Sequence, residues 1–316
     1  MISRRYLRIK VYQSLYAFFQ SDGGSAAKIE KELLLSVDRT FDMVVGLLLI
    51  FGELHRTAGR RIEDGRLKHL PTPEDLDPNL RFLENPMLAA IVNNALLQEE
   101  AEKRRINWMG QGELMGRLYK EFTASEDYQR YMALPEPTFK QHQAAVLSLF
   151  MEHIAHFEPL HDLFETRSIY WLEDLDLACS LVKRIVESMR ASGARDLGLG
   201  DILRPPMEER EFVRVLFRLT VEHSEEYGTE IAARASNWEL DRIAVSDMIL
   251  MKMAITEARE FHEIPVKVTL NEYIEIAKAY STPKSTGFIN GILDKLFIAM
   301  KENGSIKKVG RGLLES

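Results

Sequence analysis

Apolar residues recur at three- and four-residue steps along almost the whole chain, as in Leu7, Val11, Leu15 and Phe18, or Val213, Leu216, Phe217 and Val221. That period buries one face of a helix. Strand-like alternation bounded by tight turns is nearly absent: Asp64-Gly65 and Asn303-Gly304 do not sit between β-branched runs. The pattern predicts an all-α protein. Punctuation falls at Gly23-Gly24-Ser25, Pro71–Pro78, Pro135–Pro137 and Gly193–Pro206. The last carries three glycines ahead of Pro205-Pro206 and reads as a domain boundary, dividing an N-terminal helical region, 1–200, from a C-terminal helical domain, 207–316.

Shifting the chain by 67 positions lays Trp171 over Trp238 and brings Val146, His156, Arg167 and Asp174 over Val213, His223, Arg234 and Asp241. Helical periodicity alone aligns the apolar positions. The matching tryptophan-to-aspartate spacing, with Arg and His, favours a degenerate duplication. Each copy should then form a long helix, a bend near its tryptophan and a helix headed by its aspartate.

Length and composition bound the rest. With 316 residues and 46% hydrophobic residues the chain can bury a core of two lobes. The longest apolar run, Val44–Phe51, is far shorter than the roughly 20 residues of a membrane span. Cys179 is the single cysteine, so no internal disulfide or zinc knuckle is available, and a cytoplasmic protein is expected. The first twenty residues hold four basic residues and no acid, yet lack the apolar core of a secretion signal, and read as mature structure. A formal charge of -7 opposes indiscriminate binding to nucleic acid. Any RNA site must therefore draw on local cations. These gather at the two ends: Arg4, Arg5, Arg8 and Lys10, and Lys301, Lys307, Lys308 and Arg311.

Two stretches could carry a function. The first helix sets Arg5, Arg8, Tyr12 and Tyr16 on one ridge. Arginines in a first turn oppose the helix dipole, whereas arginine forks and tyrosine faces suit single-stranded RNA. The plain alternative is a solvated helix. The second stretch runs from Ile264 to Leu296: Thr269-Leu270-Asn271-Glu272 has capping-box spacing, Tyr280–Pro283 ends that helix, and Ser285-Thr286-Gly287 starts another. The new helix offers free amides beside Lys284, a setting that attracts anions. Its alternative is an ordinary capped helix.

These residues resemble the NusB family. The resemblance rests on Arg4-Arg5 through Gln13-Ser14-Leu15-Tyr16, on Trp238 through Asp241-Arg242, and above all on Asn271-Glu272, Glu275, Ala277-Lys278 and Phe288-Ile289-Asn290-Gly291-Ile292-Leu293-Asp294-Lys295. It covers roughly 1–20 and 207–300, with a family-atypical helical insertion between, about 22–200. The resemblance implies two helical bundles of NusB type and a transcription antitermination factor. Such a factor binds the boxA sequence of nascent ribosomal RNA transcripts with the small-subunit ribosomal protein NusE, in an RNA polymerase antitermination complex. It further implies RNA-binding roles for Arg4, Arg5, Arg8, Lys284, Ser285, Thr286, Phe288 and Asn290, and partner-binding roles for Tyr16 and Asp247. Tyr6 and Lys284 depart from positions often basic and often acidic in the family, respectively.

Catalysis has no foothold. There is no glycine-rich phosphate loop and no nucleophile elbow, and no cofactor is expected. The cluster Glu152, His153, His156, Glu158, His161 and Asp162 contains metal-ligand types without a metal-binding order, and Pro159 should bend the chain before His161. The competing reading is a helical protein-protein adaptor without RNA binding.

Overall fold

The structure is a computed structural model. It describes all residues except 1–2, 22–23, 169–170, 192–198, 201–206, 236–242 and 315–316, together with the side chains at 172 and 173. The described residues form fifteen α-helices and no strand. They divide into two compact units. Unit 1 comprises Met1–Val37 and Pro205–Ser316, and unit 2 comprises Asp38–Arg204.

Unit 1 holds α1 (Arg4–Gln20), the start of α2 (Ala26–Arg66), α11 (Met207–Glu222), α12 (Ser224–Arg234), α13 (Val245–Glu260), α14 (Val266–Tyr280) and α15 (Ser285–Glu302), then a short turn at Gly310–Leu313. Helix α13 lies at its centre and packs against α1, α11, α12, α14 and α15. Ten of its sixteen residues are buried, among them Leu250, Met253, Ala254 and Glu257. A helix buried on nearly every side is stable only when wrapped by others. From α1 the buried stripe Leu7, Val11 and Leu15 joins this core, as the sequence period requires.

Unit 2 holds the rest of α2 and α3 (Pro73–Leu76), α4 (Pro86–Val92), α5 (Ala95–Arg104), α6 (Gly112–Thr123), α7 (Glu126–Ala133), α8 (Phe139–Ser148), α9 (Glu158–Arg167) and α10 (Trp171–Ser188). Five of its short helices begin on side-chain caps: Thr72, Asn85, Asn94, Ser125 and Thr138 each accept a backbone amide of the first turn. The Val44–Phe51 run is its buried spine. Phe51 meets Phe150, and the Trp108 indole donates to the Gly46 carbonyl at 2.9 Å.

One local expectation is overturned. Thr269 does not cap a helix: α14 begins a turn earlier, after Pro265, whose fixed φ suits a helix entry and whose missing N–H would be unpaired there in any case. Pro159 falls where the chain breaks between two helices, as expected before His161. It occupies the first turn of α9 and opens that helix after a π-helical turn at Leu149–Ile154.

The 67-residue shift carries 139–154 onto 206–221 and 158–167 onto 225–234. These are close to the bounds of α11 and α12, so the helix order agrees over those segments. Trp171 packs edge-on against Phe164 of the helix before it, with ring centroids 5.2 Å apart. Asp174, in the first turn of α10, accepts the Thr40 hydroxyl at 2.7 Å. Trp238, Asp241 and Arg242 lie outside the described residues.

Candidate nucleic-acid interface

Ser3 caps α1 through the Tyr6 amide, and no acid stands in the first turn to offset its arginines. The three arginines occupy different settings. Arg4 is exposed, its guanidinium 5.2 Å from the centroid of the Phe212 ring. Arg5, with a side chain 47% exposed, makes a fork to both carboxylate oxygens of Glu272, at 2.9 and 2.8 Å. Arg8 is 2% exposed. Its Nε and Nη2 each donate to Glu257 at 2.7 Å, and its Nη1 reaches Glu272 at 3.5 Å.

Glu257 is equally enclosed. Besides Arg8 it accepts the hydroxyls of Thr269 at 2.9 Å and Tyr273 at 3.2 Å. Burial pushes Arg8 toward a lower pKa, but the fork from Glu257 outweighs it and holds the guanidinium charged. Burial first, and Glu257 second, hold the Tyr273 phenol well above its ordinary range. Arg8 thus ties α1 to α13 and α14, and Glu272 joins it to Arg5.

Sequence reasoning missed this network. A signal existed: Glu257 falls in register with Leu250 and Ala254 on the buried face of α13, where a lone carboxylate requires a partner.

Helices α1 and α14 run side by side in the same direction, since Arg5 meets Glu272 and Tyr12 meets Tyr280 eight residues later, ring to ring at 5.2 Å. Tyr12 also donates to Ser246 at 3.0 Å and lies 6.2 Å from the ring of Tyr16, which is 40% exposed. Beyond Tyr280 the chain turns into α15. Here Asp247 is buried and accepts the Ser281 hydroxyl. Ser285 is buried as well, its hydroxyl 2.9 Å from that of Ser281 and 2.8 Å from that of Thr282.

Around this knot Lys284 and Asn290 are exposed, and Thr286 and Phe288 are half-buried in the first turns of α15. The structure therefore sets Arg4 and Arg5 at one end of the α1–α14 pair, and Lys284, Thr286, Phe288 and Asn290 at the other. Seven residues of helix separate Arg5 from Tyr12, about 10 Å at the usual rise. Tyr16 and Asp247 fall at the second end.

Charge is unevenly divided. Unit 1 has 21 Lys plus Arg and 21 Asp plus Glu, whereas unit 2 has 20 and 27, so the entire formal charge of -7 belongs to unit 2. The unit with the arginine helix is formally neutral.

The histidines of unit 2 have ordinary structural settings. His156 Nδ1 lies 2.6 Å from the Met151 carbonyl, His161 Nε2 lies 2.8 Å from that of Ala155, and His153 stands edge-on to Phe122. No group of potential metal ligands is assembled among the described residues. Cys179 is buried, and burial pushes its thiol up to about 12, which suppresses the thiolate. No helix among the described residues is long and apolar enough to cross a membrane.

A sequence model described as the NusB family matches residues 183–297, most of them in unit 1. A relative from Salinibacter ruber, named transcription antitermination protein NusB, is 39% identical over 138 residues, covering 42% of this chain and 86% of the relative. The chain belongs to the NusB family. NusB proteins of the same name from Chloroherpeton thalassium and Trichlorobacter lovleyi are 41% and 43% identical over 109 and 93 residues. Those alignments cover 34% of this chain and 52% of the first relative, and 29% and 66% for the second. No solved structure matches the chain significantly. The chain is longer than these NusB relatives, and the family match leaves most of unit 2 unaccounted for.

Proposed function

We propose that the protein is a non-catalytic, cytoplasmic transcription antitermination factor. It binds boxA-like single-stranded RNA of nascent ribosomal RNA transcripts together with the small-subunit ribosomal protein NusE, within an RNA polymerase antitermination complex. The observation that carries this reading is the placement of Arg4 and Arg5, and of Lys284, Thr286, Phe288 and Asn290, at the two ends of one helix pair on the neutral unit. The relatives named transcription antitermination protein NusB support it.

In this reading Arg4 and Arg5 contact phosphates, while Arg8 positions Arg5 through Glu272 instead of meeting RNA itself. Lys284 draws a phosphate to the α15 N-terminus, and Phe288 meets a base. Ser285 and Asp247 shape the turn from within. Tyr16 offers its exposed ring to NusE. The test is binding of a boxA-like RNA and a scrambled RNA, with and without NusE. Specific binding strengthened by NusE is expected. Phe288→Ala should cost about 1–3 kcal/mol in affinity, and Lys284→Ala should chiefly reduce the salt dependence.

One observation favours a second reading, a protein-protein adaptor without RNA binding: Arg5 and Arg8 already have carboxylate partners. Equal, weak affinity for both RNAs, alongside intact NusE binding, would select it.

A further inference from the structure

The segment 305–314 follows the stretch that matches the family, yet it is built into unit 1. Ile306 is buried, and its amide donates to the Met300 carbonyl at 3.1 Å. The Lys308 ammonium donates to the Phe261 carbonyl at the end of α13, and the Val309 amide to that of His262, both at 3.0 Å. Gly312 is buried against the same backbone: a Cβ there would lie 2.0 Å from the His262 oxygen, so only glycine permits this approach.

Docked in this way, the segment completes a groove of about 850 Å³ at the N-terminal end of α1. Arg4, Arg5 and Arg311 line it, with Ile264, Pro265 and Val268 forming an apolar wall. That size suits a small polyatomic ligand. Cations therefore come from both ends of the chain, beside a surface that can cover a planar ring.

Of the carboxylates that also line the groove, Glu272 is committed to Arg5 and Arg8. Arg311 is only loosely engaged. Its side chain is 84% exposed, and its pair with the exposed Glu263 spans 3.8 Å. Such a pair is easily exchanged for a phosphate, which accepts two guanidinium bonds at once.

We propose that this groove seats one nucleotide of a bound RNA chain, its phosphate between Arg311 and the α1 arginines and its base against Ile264, Pro265 and Val268. The proposal rests on the RNA-binding reading above and adds to it a contact from a segment beyond the family match.

The test measures affinity of the full chain for a boxA-like single-stranded RNA across a range of salt concentrations, for four proteins: the wild type, Phe288→Ala, Arg311→Ala and Val268→Glu. Arg311 and Val268 are exposed, so thermal melts should remain at the wild-type value. Arg311→Ala should lower the logarithmic salt slope by about 0.7, the value for one phosphate contact on a single strand. Val268→Glu should weaken binding several-fold, and 4-thiouridine placed in the RNA should crosslink to 263–268 in the wild type. If the wild type binds and Phe288→Ala weakens it, while Arg311→Ala and Val268→Glu change neither affinity nor slope, the groove is off the RNA path and the RNA-binding reading stands. If the wild type binds no RNA, both fall.

Discussion

The Arg8 guanidinium spends its donors on Glu257 and Glu272 in a setting sealed from water. Breaking such a pair from one side strands a charge, at a cost of about 3–5 kcal/mol. Arg8→Ala should therefore lower the urea midpoint sharply. Arg4→Ala and Arg5→Ala, at exposed sites, should barely move it while reducing the salt slope of RNA binding. Equal unfolding midpoints for the three variants would show that Arg8 is not the structural member of the set. Residue type alone could not make this distinction. The sequence displayed three arginines on one helix, but their different settings depend on Glu257 and Glu272, which approach from 249 and 264 residues away. Arg5, Arg8, Tyr12 and Tyr16 were legible as a ridge because helical spacing is local. Their partners were not, because pairing across helices is set by packing.

At the scale of elements, helix existence followed from the apolar period, and the start of α15 at Ser285 and the end of α14 at Tyr280 agree with the punctuation at 281–285. The start of α14 did not. Pro265 supplied an earlier entry, which left Thr269 inside the helix to donate to buried Glu257. The docked C-terminal segment was visible in sequence only as a cluster of cations, since nothing local foretells that Lys308 would meet the end of α13. Burial, opposed by Glu257 and assisted by the neighbouring charge of Lys301, pushes Lys308 down to about 8 from an ordinary 10.5. Between those values the unfolded chain holds more protons than the folded one, so stability should rise with pH across that window. Below about pH 8 the folded protein carries the full cost of the half-buried ammonium, and Lys308→Met does not. The melting temperature of the wild type minus that of Lys308→Met should therefore increase from pH 7.5 to 10.5. A difference that stays flat over this range would mean that the ammonium is not held at a cost.

For the whole molecule, the overall charge is a poor guide to the setting of the arginine helix, because all of the formal -7 belongs to unit 2 while unit 1 is neutral. Summed over the chain, that charge argues against nucleic-acid binding; divided by unit, it leaves the arginine helix in a balanced setting. Unit 2 still contributes a long-range field. At about 0.01 M salt the screening length is near 30 Å, large enough for an acidic unit to repel an approaching polyanion, whereas at about 0.15 M it shrinks to roughly 8 Å. Glu113, Glu126 and Glu136 are exposed on unit 2 and lie in or beside short helices whose cores do not include them. Replacing all three with glutamine should leave the melting temperature within a degree or two of the wild type, since exposed charges contribute little to stability. It should accelerate association with RNA at low salt and leave the rate unchanged at physiological salt. The dissociation rate should not respond at either salt, because the substitutions alter approach and not contact. Stopped-flow association of a labelled boxA-like RNA and of its scrambled form would read this directly. An acceleration that persists at physiological salt, or a slower dissociation, would place these glutamates beside the bound RNA and give unit 2 a direct part in the interface.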